Sequence, residues 1–177
     1  MSAEIVTLKK RFVNWYGLRV VASVPRLEDP PGAAFLLAAL GAHAAARFTE
    51  RIAALDLTPA QTGLLRAIAA DPGQSQQTMA QLLGTPPSRL VGLVDSVADR
   101  GLVERRRNPG DRRLHALYLT EDGEALMDRI GAVGREHDEA ILRSLDTGDQ
   151  ARLRALLLRV AEDQGLTPGV HPGFRHL

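Results

Sequence analysis

The stretch Gly101–Leu119, GLVERRRNPGDRRLHALYL, breaks the period of everything around it. Leu102 and Val103 lead through Glu104 to Arg107 as an extended strand, and Asn108-Pro109-Gly110-Asp111 is turn chemistry. Leu114 to Leu119 then alternates back, with Leu114, Ala116 and Tyr118 on one face and His115, Leu117 and Leu119 on the other. The result is a β-hairpin with a cationic tip, on or near which lie Arg105, Arg106, Arg107, Arg112 and Arg113. Like charges this close on a two-stranded ribbon repel one another. Duplex DNA supplies the missing counter-charge, and release of its condensed ions supplies affinity.

Upstream of the hairpin the apolar residues fall at helical spacing. Ser75 opens a short helix through Leu83, with Met79, Leu82 and Leu83 as its expected buried side, and Gly84 ends it. Thr85-Pro86 reads as a cap followed by a first-turn proline, and Leu90, Val91, Val94, Val97 and Ala98 give the next helix its stripe. Two short helices meeting at a glycine form a helix-turn-helix outline. Before them, Thr58-Pro59-Ala60-Gln61 has the chemistry of a capping box, opening a helix to about Ala70. A longer Ala-rich helix is expected from Ala33 to about Leu55, hydrophobic over too much of its girth to stand alone.

Downstream, Thr120-Glu121-Asp122 is a cap with an acidic first turn. The stripe Leu126, Ile130, Val133, His137, Ile141 and Leu145 follows it for five turns or more. A last helix is expected from Thr147-Gly148-Asp149-Gln150, read as a second capping box, carrying Leu153, Leu156, Leu157 and Val160.

Composition agrees with a mainly α chain bearing one small β-hairpin wing. The 177 residues are 45% hydrophobic and only 4% aromatic, enough for one compact domain and too few for two. The net charge of +1 hides an arginine cluster between Arg100 and Arg113. No cysteine is present, which excludes disulfides, thiolate-ligated metal and thiol redox sensing. Lys9, Lys10 and Arg11 precede an apolar run from Phe12 to Val24, but Arg19 interrupts it and Pro25-Arg26-Leu27 is not a cleavage site, so a cytoplasmic protein is expected, with no membrane partner.

Chemistry is weakly represented. Glu136-His137-Asp138-Glu139 cannot converge on one metal, because adjacent helical residues point apart, and His137 falls on the apolar stripe. No nucleophile elbow, phosphate-cradling loop or zinc-ligand spacing occurs, so the expectation is no enzyme, no cofactor and no metal.

Leu57 to Leu126 resembles the MarR family of winged helix-turn-helix regulators. The residues that carry the resemblance are Asp99-Arg100-Gly101-Leu102-Val103-Glu104-Arg105, Asn108-Pro109-Gly110-Asp111-Arg112-Arg113 and Leu117-Tyr118-Leu119-Thr120-Glu121-Asp122-Gly123. It implies a winged module at 57–119 between dimerisation helices at 32–56 and 120–164. Residues 1–31 fall outside the resemblance and are expected to be a flexible arm, a segment packed on a partner subunit or an over-long gene start, and 165–177 a tail.

The resemblance further implies a homodimer set over successive major grooves of a pseudo-palindromic operator. Its reading helix would present Pro87, Ser88, Arg89 and Gly92, with Arg89 able to pair with guanine and Gly92 departing from the longer polar side chain of many relatives. Asp111 and Arg113 match the minor-groove arginine with its orienting carboxylate, and Arg107 and Arg112 the phosphate ligands. Ser75, Gln76 and Thr78 could donate to phosphate, although simple capping explains them as well. Relatives often respond to phenolic or anionic effectors, for which His43 and Arg47 are candidates on one face of the first helix. The expected function is a repressor released by such a molecule. The alternative is a winged-helix dimerisation or protein-interaction module that does not bind DNA.

Overall fold

The computed structural model describes residues 30–107, 115–167 and 169–170. Six helices and one hairpin follow in the order α1 (Ala33–Ala53), α2 (Pro59–Ala70), α3 (Gln76–Leu83), α4 (Pro87–Ala98), β1 (Val103–Arg107), β2 (His115–Leu119), α5 (Glu121–Leu142) and α6 (Thr147–Asp163).

Local chemistry sets most of these limits. At α2 the Thr58 side chain accepts from the Gln61 backbone N–H at 3.2 Å while the Gln61 side chain accepts from the Thr58 N–H at 2.9 Å, a closed capping box. Ser75 caps α3 through the Thr78 N–H at 3.1 Å, and Gly84 ends it in the left-handed region at φ 63°. Thr120 caps α5 through the Gly123 N–H at 3.1 Å.

Several expectations are corrected. Pro86 is the N-cap of α4 and Pro87 its first residue, while Thr85 is buried, so the start lies one residue later than Thr85-Pro86 suggests. Asp146, not Thr147, caps α6, accepting from the Asp149 N–H at 2.8 Å. Gln150 instead reaches back to the carbonyl of Leu145 at 3.0 Å, so the second capping box does not form. Leu145 lies beyond α5, and Leu82 and Val91 are exposed, the apolar stripes of α3 and α4 being narrower than their sequences suggest.

The core sits where α2, α3, α4 and the hairpin meet the end of α1 and the start of α5. Ile52, Leu64, Leu65, Ile68, Met79, Leu90, Val94, Val97 and Leu117 are fully buried. Each such side chain contributes about 1.5–3 kcal/mol. The hairpin is antiparallel with Val103 opposite Leu119, Arg105 opposite Leu117 and Arg107 opposite His115. A third extended segment, too short to read from sequence, lies on the other edge of β2. Ser75 bridges Ala116, the Gly73 N–H donates to the Leu117 carbonyl at 2.8 Å, and the Leu117 N–H donates to that of Gln74 at 3.0 Å. Ala116 and Leu117 are both buried although they point to opposite faces.

Two joints hold the module to its flanks. Arg100, after α4, donates to the Asp56 carbonyl at 2.6 Å, where Asp56 itself takes φ 54° to end the α1 turn. Thr120 donates through its hydroxyl to the Gly101 carbonyl at 2.6 Å and through its N–H to that of Leu102 at 3.2 Å. Gly123 lets α5 start there, because a Cβ at this position would overlap the Leu102 carbonyl oxygen.

Outside this core much apolar surface is uncovered. Phe35, Leu36, Leu37 and Leu40 on α1 and Leu156, Leu157, Leu158 and Val160 on α6 are all at least 40% exposed, and α6 has no buried residue. None of the described helices is long and apolar enough to cross a membrane.

Candidate nucleic-acid interface

One face of the molecule gathers the start of α3, the outer side of α4 and one side of the hairpin. Leu90, Val94 and Val97 turn inward, so the opposite side of α4 presents Pro87, Ser88, Arg89 and Gly92 to solvent. Arg89 has no carboxylate within ion-pair distance among the described residues. A Cβ built on Gly92 meets nothing within 4 Å, so packing does not demand glycine there.

The start of α3 lies alongside. Ser75 is occupied as a cap, its oxygen also 2.9 Å from the Thr78 hydroxyl, and Gln76 follows it half-buried while Thr78 is exposed. Between α3, α4 and the hairpin runs an open groove lined by Ser75, Gln76, Gln77, Pro87, Val91, Asp95, Arg105 and His115.

The hairpin arginines divide into two groups. Arg105 pairs with Asp95 of α4, and Arg106 pairs with neighbouring Glu104 and stacks over the Tyr118 ring at 4.5 Å. The hydrogen bond that Arg106 donates to Glu104 raises the Arg106 pKa above its ordinary value. Two of the five cations are therefore satisfied within the chain, which removes part of the repulsion inferred from the sequence. Arg107 is exposed at the end of β1, on the same side of the ribbon as Arg105. Asp111, Arg112 and Arg113 lie outside the described residues.

The two effector candidates lie on α1. His43 and Arg47 are both exposed, and Arg47 forms an ion pair with Glu50 one turn on. One turn deeper is an arrangement the sequence did not reveal. Phe48 meets the His137 ring of α5 edge-on, with centroids 5.6 Å apart, and Arg51 approaches Glu136 loosely at 3.8 Å. Arg51 Nε and His137 Nδ1 are both buried without a hydrogen-bond partner. Burial first, and then the Arg51 charge, pushes the His137 pKa down. Helical spacing from Arg47 to Arg51 was the available signal, but only the packing of α1 on α5 brings His137 to them. No group of three His, Asp or Glu that could hold a metal occurs among the described residues.

A two-helix reading unit, a hairpin at its side and long helices before and after define a winged helix-turn-helix protein. Residues 55–114 match the model of the MarR family. Transcriptional regulator HosA of Escherichia coli is 32% identical over 104 residues, 59% of this chain and 76% of that protein. The transcriptional repressor NicR of Pseudomonas putida is 28% identical over 115 residues, 65% of this chain and 73% of that one. The structure of the repressor CouR bound to a 23-mer DNA duplex superposes with a TM-score of 0.65 at 30% identity, covering 73% of this chain and 92% of CouR. The chain belongs to the MarR family.

Proposed function

We propose that this chain is a transcription regulator that binds double-stranded DNA as a homodimer, with α4 in the major groove and the hairpin in the flanking minor groove, and that it does so in the cytoplasm without chemistry of its own. The observation that carries the reading is the outward side of α4, where Pro87, Ser88 and Arg89 stand exposed beside the Arg107 strand. Its similarity to CouR, seen on duplex DNA, supports it. Arg89 is the candidate for a guanine, and Ser75, Gln76, Thr78, Arg107 and Arg112 for phosphate. Asp111 and Arg113 are candidates for the narrow minor groove. The domain limits expected from sequence go with this reading.

The uncovered apolar sides of α1 and α6 support the dimer, since a second copy would remove both from water at about 25 cal/mol per Å². Selection of bound duplexes from a random pool tests the whole reading. An enriched inverted repeat, bound with steep salt dependence, is expected. A monomer, or a protein indifferent to duplexes at low ionic strength, overturns it.

A small anionic effector fits the same reading. The two unpartnered nitrogens, Arg51 Nε and His137 Nδ1, support a carboxylate or phenolate beside Phe48, with Arg47 and His43 on the same helix as Arg51. Such a ligand raises Tm by binding the folded form. An aromatic carboxylate should therefore shift Tm in the native chain and not in Arg51→Met. No shift with any aromatic acid removes the effector and leaves the DNA reading standing.

A further inference from the structure

Val91 is 42% exposed on a helix whose other large apolar side chains, Leu90, Leu93, Val94 and Val97, are buried or half-buried. It stands one helical turn from Pro87 and one from Asp95, and all three line the groove beside the hairpin. The surroundings are polar, with Gln77 from α3, Arg105 from β1 and His115 from β2. Asp95, the one carboxylate lining the groove among the described residues, is neutralised by Arg105. Gly92 beside Val91 leaves open space, which lets the backbone of α4 approach a ligand closely.

An apolar side chain presented from such a surface gains affinity where a polyanion offers it an apolar partner. In the major groove of B-form DNA the base-edge group of that kind is the C5 methyl of thymine. We infer that Val91 is a specificity-determining residue that reads a thymine methyl in each half-site, with Pro87 packed beside it and Gly92 keeping the approach clear. The inference rests on the proposed DNA reading. It places hydrogen-bond readout at Arg89 and methyl readout two residues further on, on the flank of α4 that lines the groove.

The test uses the full chain and the duplex obtained by selection, with each thymine pair of the inverted repeat replaced in turn by uracil, which lacks only the methyl. At one symmetric position the wild-type protein should bind about fourfold more weakly per half-site and about fifteenfold for the whole duplex, the effect of one methyl-sized apolar contact. Val91→Ala should show no difference between thymine and uracil at that position while keeping its salt dependence and Tm. Wild-type binding unaffected by uracil at every position overturns the inference and leaves the DNA reading intact, as would uracil sensitivity undiminished in Val91→Ala. Selection that enriches no duplex removes the DNA reading and this inference with it.

Discussion

Arg105 on β1 and Asp95 on α4 form an ion pair across ten residues of sequence, so the hairpin is tied by a charged strut to the helix beside it. Their side chains are 31% and 51% exposed, and pairs this open contribute about 0–1 kcal/mol. The strut therefore matters for orientation more than for stability. Arg105→Ala should lower stability by less than about 1 kcal/mol in urea unfolding. It should weaken duplex binding about tenfold, because the hairpin no longer keeps a fixed angle to α4. Equal affinity in the variant and the parent would show that the strut is idle.

The division of the hairpin arginines sets a second expectation. Arg106 already has Glu104 and Tyr118 as partners, whereas Arg107 is exposed at the far end of the strand. Each phosphate that a cation ceases to neutralise reduces the slope of log K against log salt by about 0.9. Arg107→Ala should thus lower the slope by about two for a symmetric dimer, and Arg106→Ala should leave it nearly unchanged. Gel retardation at four or five salt concentrations measures both, and a larger effect at Arg106 would reverse the assignment.

The starts of α2, α3 and α5 were legible because they rest on hydrogen bonds three residues apart, as in Thr58 with Gln61, Ser75 with Thr78 and Thr120 with Gly123. The hairpin was legible from its change of period. What sequence could not show depends on packing between elements. Arg105 reads as one more cation until α4 brings Asp95 to it, and His137 reads as a stripe residue until α1 brings Phe48 and Arg51. Val91 and Leu82 were misread because periodicity counts every apolar residue as core, including those exposed on the finished chain. The wing residues Asp111, Arg112 and Arg113 rest on the family resemblance alone.

His137 gives stability a pH dependence whose sign follows from its surroundings. Burial is the largest cause of the lowered pKa, Arg51 on α1 lowers it next, Asp138 on its own helix opposes them, and Arg47 and His43 on α1 add smaller lowering effects. The unfolded chain, at about 6.5, then binds a proton more readily than the folded one. Stability is complete above that value and falls as pH drops from it through the depressed folded value. Tm should decline over this window in the parent and less steeply in His137→Phe, which keeps a ring against Phe48. Parallel Tm curves for the two proteins would exclude His137 as the source.

Gly123 marks the closest approach between α5 and the base of the hairpin. A Cβ there would overlap the Leu102 carbonyl oxygen and lie 3.3 Å from the Leu119 Cβ, and the oxygen is backbone that cannot swing aside. The Thr120 bonds to Gly101 and Leu102 depend on this fit. Gly123→Ala should cost about 1–3 kcal/mol by overpacking, despite the better helix propensity of alanine. Gly92→Ala, on a helix where nothing lies within 4 Å of the added carbon, is the matched control and should be neutral or slightly stabilising. Similar unfolding midpoints for the two variants would contradict the close approach.

Leu156 and Leu157 on α6 carry the last expectation, which joins assembly to binding. They are 48% and 40% exposed on a helix with no buried residue, so α6 gains little from its own chain. If a second copy covers them, a glutamate at Leu157 places an unpaired charge in an apolar interface twice per dimer, a penalty of several kcal/mol. Leu157→Glu should then sediment as a monomer at micromolar concentration while its near-complete core keeps the winged module folded. Its affinity for an inverted repeat should fall to that for a single half-site, because the second module is no longer held at the matching spacing. Sedimentation as a dimer with undiminished affinity would show that α6 is covered by something other than a second copy.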